Sequence, residues 1–240
     1  IGSHLGLTGA GFMGVPPHLI QANVPYEHLP CGLVSIWSWA VSRARSAAAV
    51  PMGRDWADRA IAHARAHVDM PALAVALASL AEFLVPGSDE AKRVFDELHA
   101  LDEPGMAPLA RCAGPIAESG HLSKLGDAAT SIAYLHRGLA LVSETGVDDG
   151  IWITQSWLLS VKLAAGRTDD VLADGLPLLA RLQGTRNETA LAICRRAVVA
   201  ALLAHDDLER ARPLAQVGWR QAARLPLLAH AAWPDLLALL

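Results

Sequence analysis

Apolar residues recur every three or four positions along most of the chain from Leu33 onward, the period of a helix with one covered face. The segment 71–85 carries Leu73, Leu77, Leu80 and Leu84, and 151–165 carries Ile153, Trp157, Val161 and Ala164. Val171, Leu172, Leu178, Leu179 and Leu182 mark 169–183; Leu191, Cys194, Val198 and Leu202 mark 188–204; Leu208, Ala211, Leu214 and Val217 mark 207–224. The same reasoning predicts helices over 32–49 (Ile36, Trp37, Ala40, Val41), 55–68, 89–101 and 127–144, and opens another at 227–240. Pro51-Met52-Gly53 reads as the end of the first, Asp55 as the cap of the second, and Ser88 or Asp89 as the cap of 89–101. The segment 106–123 is the least regular, and Gly114-Pro115 is expected to bend or interrupt it. Gly146-Val147-Asp148-Asp149-Gly150 reads as a loop. No stretch of useful length alternates with period two, so the predicted class is all-α.

Polar turns fall at a near-constant spacing. Gly53-Arg54-Asp55, Gly87-Ser88-Asp89, Gly126-Asp127, Gly166-Arg167-Thr168-Asp169 and His205-Asp206-Asp207 are separated by 34, 39, 40 and 40 residues, counted at 53, 87, 126, 166 and 206. Such self-similarity predicts antiparallel helix-turn-helix repeats, in which no pair buries both of its faces until it stacks on another. Ser131 and Gly138, and likewise Ala211 and Gly218, return small residues to one helix face and fit close helix contact. Residues 31–240 therefore read as a repeat domain of about five helix pairs. Residues 1–30 differ, with Gly2, Gly6, Gly9, Gly11, Gly14, Pro16-Pro17, Pro25 and Pro30 predicting an irregular lead-in. The start at Ile1 and the end within Leu236-Leu237-Ala238-Leu239-Leu240 suggest a piece of a longer protein.

The stretch Gly126 to Leu141 resembles the second half of a tetratricopeptide repeat. It has the turn glycine Gly126, the acidic Asp127, and small residues at Ser131 and Gly138. The unit at Asp206 follows with Asp207, Ala211 and Gly218 but has no turn glycine. The unit at Gly166 departs from the pattern, placing Val171 and Leu178 where small residues are usual. Its first helix has Leu158 at the family's leucine position but Leu159 where a small residue is usual. The resemblance implies a right-handed superhelical solenoid whose first helices line a concave face. Ala/Leu/Arg-rich arrays of this kind are similar to the C-terminal sensor regions of large bacterial transcription regulators with an upstream ATPase. By that analogy the chain is a non-catalytic, cytoplasmic protein-interaction or effector-sensing module, with a protein, a peptide or a small effector as partner.

Composition narrows the alternatives. The 240 residues are 52% hydrophobic and 18% charged, with a net charge of −4, which is not the basic footprint of a nucleic-acid binder. Cys31, Cys112 and Cys194 are odd in number and widely spaced, forming no disulfide framework and no CxxC knuckle; each has apolar neighbours and reads as packing rather than as a nucleophile. No apolar run reaches the roughly 18 residues of a membrane span.

Gly9-Ala10-Gly11-Phe12-Met13-Gly14 fits GxGxxG, and a nucleotide-dependent enzyme built on it is the alternative in another class. Pro16 and Pro17 follow where a phosphate-binding helix would begin, so no cofactor is assigned. His63 and His67 are four apart on one predicted helix but have no evident third ligand; they read as solvated histidines, and no metal is assigned. Of the seven tryptophans, Trp152 and Trp157 are the pair with functional interest. Aligning Gly166 with Asp206 directs Ile153, Ser156, Ser160, Ile193 and Arg196 toward the groove that the resemblance implies. There Arg196 could clamp a carboxylate, although a solvated arginine with an acidic neighbour is the simpler reading. A self-associating scaffold is a third possibility.

Overall fold

The computed structural model describes residues 50–185 and 187–224, which form nine α-helices and no strand. The Gly-rich lead-in, the GxGxxG segment, Cys31, Trp37, Trp39, Trp233 and the helices expected over 32–49 and 227–240 lie outside the described residues. The chain divides into two compact units, 1–146 and 147–240.

The first unit contains α1 (Val50–Ala66), α2 (Met70–Ala81), α3 (Asp89–Ala100), α4 (Pro108–Lys124) and α5 (Ala128–Glu144). Leu73, Leu77, Leu80, Val94, Phe95 and Leu98 meet a row of alanines from α1, Ala57, Ala60 and Ala64, in one core. α2 packs against α1, α3 and α4, and α5 packs along α4. The second unit contains α6 (Asp148–Ala164), α7 (Thr168–Leu182), α8 (Glu188–Ala204) and α9 (Leu208–Arg224). Here α8 packs against α6, α7 and α9, and Val171, Leu178, Leu182, Val198 and Leu202 fill the core.

One turn recurs. Asp69, Asp127, Arg167 and Asp207 each donate their backbone N–H to the carbonyl five residues back, on Ala64, Leu122, Lys162 and Leu202, at 2.9, 2.9, 2.9 and 3.0 Å. This bond closes a helix end through a residue in the left-handed region. Gly126 and Gly166 hold that place with φ of 85° and 72°. Asp206 (φ 57°) takes it without a glycine, a conformation that aspartate tolerates. Val68 (φ 55°) also takes it, against the preference of a β-branched residue.

Several sequence expectations are corrected. Gly53-Arg54-Asp55 is not a turn: α1 begins at Val50 and runs through it. Pro51 lies in the first turn, where its missing N–H costs nothing. Asp55 does not cap this helix but pairs with Arg59 one turn on, at 2.8 Å. The supposed break at Gly114-Pro115 is absent, and α4 is continuous through Pro115. Asp148 and Asp149 belong to the first turn of α6 rather than to a loop; acidic residues there complement the helix dipole.

Other expectations hold. Ser88 caps α3, as expected, by accepting from Ala91 N at 3.2 Å; Asp127, expected only as the acidic residue of the repeat pattern, also caps α5 by accepting from Thr130 N at 3.1 Å. Ser131 and Gly138 are buried where α5 meets α4: Ser131 Oγ donates to Ser119 O at 2.8 Å, and a methyl group on Gly138 would lie 2.6 Å from Ile116 Cγ1. In the second unit Ala211 is fully buried in the core, and a close approach not expected from the repeat pattern occurs at Gly175. A methyl group there would stand 2.7 Å from Val198 and 3.3 Å from Leu159.

Candidate functional site

All seven residues singled out for binding fall on α6 and α8, two helices that run in the same direction. At one end Asn187 Nδ2 donates to Asp149 Oδ1 at 3.0 Å, and at the other His205 Nε2 lies 3.0 Å from Thr168 Oγ1. Asn187 also caps α8, its side-chain oxygen accepting from Ala190 N at 2.9 Å. Thr168 opens α7, so the hydrogen bonds that join α6 directly to α8 are those of Asn187 with Asp149 and of Ser156 Oγ with Ala190 O at 3.1 Å.

The seven do not share one environment. Ser156 is fully buried, with Oγ 2.8 Å from Trp152 O and 3.1 Å from Ala190 O. It is a helix-to-helix contact and not a groove residue, which corrects its assignment. Trp152 and Ile153 lean on the core of the unit, and the indole Nε1 of Trp152 is buried without an acceptor. Trp152 and Trp157, five positions apart, fall on different faces of α6. Ser160 is half-buried, with Oγ 3.4 Å from Ser156 O. Trp157, Ile193 and Arg196 are half-buried and lie outside the core cluster.

The burial pattern of α8 explains the last group. Ala190, Ala192, Cys194, Arg195, Ala197, Val198, Val199, Ala201 and Leu202 are all buried, because three helices cover them. Ile193, Arg196, Ala200 and Leu203 are left half-exposed at spacings of three, four and three, a narrow strip along one side. Arg196 is the charged member of that strip. It has no hydrogen bond and no acidic partner among the described residues, against the expectation of a solvated arginine beside an acid. Partial burial pulls its pKa below the ordinary arginine value. The other arginines that the fold partly covers are engaged: Arg54 with Glu90, Arg111 with Asp102 at 3.0 Å, and Arg195 with a neighbour.

The remaining reactive side chains have structural places. Burial pushes the thiol of Cys112 up to about 11 and that of Cys194 up to about 12, so neither is a thiolate nucleophile at neutral pH. Cys194 Sγ donates to Gly175 O at 3.5 Å. His63 is buried rather than solvated, its ring 4.1 Å from that of His67, and burial is the main cause of its lowered pKa. No group of three His, Cys, Asp or Glu side chains among the described residues could hold a metal ion.

Sequence reasoning passed over His121, which is buried. Its Nε2 donates to Ala81 O at 2.6 Å, satisfying a carbonyl at the open end of α2, and its ring meets Phe95 edge-on. The other nitrogen, Nδ1, is buried and bare, so burial favours the neutral ring and lowers its pKa.

No family model, no curated protein and no solved structure matches this chain. No helix among the described residues is long and apolar enough to cross a membrane.

Proposed function

We propose that this chain is a non-catalytic binding module built from tetratricopeptide-like helix pairs. On this reading it is the protein-interaction or effector-sensing part of a larger bacterial signalling or transcription regulator and works in the cytoplasm. The recurring left-handed turns at Gly126, Gly166 and Asp206, forty residues apart, support the repeat reading. The observation that carries the binding reading is the strip on α8. A helix covered by three neighbours still leaves Ile193, Arg196 and Ala200 half-buried along one side, continued by Leu203, which also leans on the core. An apolar surface with one orienting polar group is the composition of a recognition site.

Selection of a random dodecapeptide display library on the full chain tests this reading. Enriched peptides should bind the parent chain and lose affinity at least tenfold for Ile193→Glu, whose melting midpoint should stay unchanged because the position is half-exposed. No enrichment over a blank support would overturn the module reading. So would peptides that bind a folded Ile193→Glu chain equally well.

A further inference from the structure

We propose that the α8 strip binds a linear peptide segment carrying a carboxylate side chain between apolar residues, with Arg196 as the group that receives the carboxylate. The inference rests on the module reading and names the chemistry of its partner.

Complementarity of charge carries it. A guanidinium has five N–H donors. Arg196 is half-buried beside apolar residues, and the described residues supply it no acceptor. Beyond Glu188, α8 contains no acidic residue, and beyond Asp149, α6 contains none. Several other acids of this unit are engaged elsewhere: Asp149 with Asn187, Asp174 with Lys162, Asp170 with Arg167, Asp169 with His205 and Asp207 with Arg210. A planar carboxylate from outside fits the guanidinium fork with two parallel hydrogen bonds.

The flanking residues define the rest of the ligand. Ile193 lies one turn before Arg196, and Ala200 and Leu203 lie one and two turns after it. An acid that docks on Arg196 therefore has apolar surface on both sides, and a ligand acidic throughout would leave charges against Ile193 and Leu203. From Ile193 to Leu203 the strip rises roughly 15 Å. That is the span of about four or five extended residues, so a linear segment matches an open strip of this length.

Synthetic dodecapeptides with a central Glu, flanked by Leu or Ile one or two positions away on one side and three positions away on the other, supply the probe. Each is paired with the same peptide carrying Gln, and fluorescence anisotropy is read on the full chain. The Glu peptide should bind the parent chain about ten- to hundredfold more tightly than its Gln twin. Arg196→Gln should bind both twins equally, and Arg196→Lys should recover only part of the difference, because an ammonium does not reproduce the fork. Arg181→Gln, at an exposed position of α7, controls for bulk charge and should behave as the parent. Thermal melts confirm that each variant is folded.

Discrimination between Glu and Gln that survives Arg196→Gln overturns the inference. So does Arg196-dependent binding of octanoate without any binding of the peptides, which would make the ligand a free acid. Library peptides that need Ile193 but are indifferent to Arg196 also overturn it, while leaving the module reading intact. Failure of the library to enrich at all removes the module reading itself.

Discussion

Val68 is a β-branched residue in a left-handed conformation, and glycine should relieve it. The left-handed region costs a non-glycine residue roughly 1–2 kcal/mol. Val68 has φ 55° and is 71% exposed, so shortening it to glycine gives up little burial. Against the relief stands the larger entropy that glycine loses on folding, about 0.5–1 kcal/mol. The net expectation for Val68→Gly is a gain of about 0.5–1 kcal/mol. Val85 offers an internal control. It is also a turn residue 71% exposed, but its φ is not positive. Val85→Gly carries the same entropy and burial losses without the relief, and should lose about 0.5–1 kcal/mol. The two variants should thus differ by about 1–2 kcal/mol, the cost of the left-handed valine itself. Urea unfolding followed by circular dichroism reads this as midpoints displaced in opposite directions at unchanged slope. A Val68→Gly midpoint below the parent, shifted as far as that of Val85→Gly, would refute the strain argument.

Three further outcomes follow from the packing and the titrations. Gly175→Ala should lose about 1–2 kcal/mol, because the added methyl meets Val198 at 2.7 Å, whereas Gly120→Ala, with nothing within 4 Å, should gain about 0.5–1 kcal/mol; thermal melts in which both rise would contradict the close contact. Burial lowers the pKa of His121 and of His63 below the ordinary histidine value of about 6.5, so the unfolded chain takes up protons first as pH falls. The stability they contribute is present above pH 6.5 and is lost as pH falls toward their folded pKa values. Denaturation midpoints from pH 8 to 5 should show this, with a shallower decline in His121→Gln, which keeps a donor and does not titrate; superimposed profiles would count against the buried neutral ring. Heating scans with saturating NAD, NADP or ATP should leave the melting midpoint in place, since a ligand at a hundred times its Kd would add about 2.7 kcal/mol. A rise that Gly11→Trp abolishes would replace the module reading with a nucleotide-binding one.

The helices were legible where the code is local. Apolar spacing located α5, α7, α8 and α9 to within a residue or two, helped at α5 by Gly126 followed by the capping Asp127, because these signals act inside one turn of chain. Gly53-Arg54-Asp55 misled because a glycine and an aspartate are turn residues only when the chain is free to turn. Here the helix already runs from Val50 through both of them. Long-range facts left weaker traces. Gly175 is a single helical glycine in sequence, and only the approach of Val198 and Leu159 gives it a purpose. Aligning Gly166 with Asp206 directed Ile193 and Arg196 toward a groove, and both are half-buried, yet it also selected Ser156, which is buried against Ala190. The alignment compares positions within repeats and is blind to how α6 and α8 are set against each other. That Arg196 lacks an acid was unreadable for the same reason, since an ion pair depends on neighbours that the chain brings from elsewhere.

The central position of α8 has a consequence for how the second unit would report occupancy. Local opening frees the elements with the fewest contacts first, and a helix held by three neighbours opens only when the whole unit does. A ligand seated on α8 therefore attaches to the part of the unit that exchanges its amide hydrogens last. Its binding energy adds to the global unfolding term and not to the fraying of one end. Slowed exchange would then appear at every amide of α6 through α9 that opens only with the whole unit, so these would respond together as a single cooperative block, while the fraying ends kept their rates.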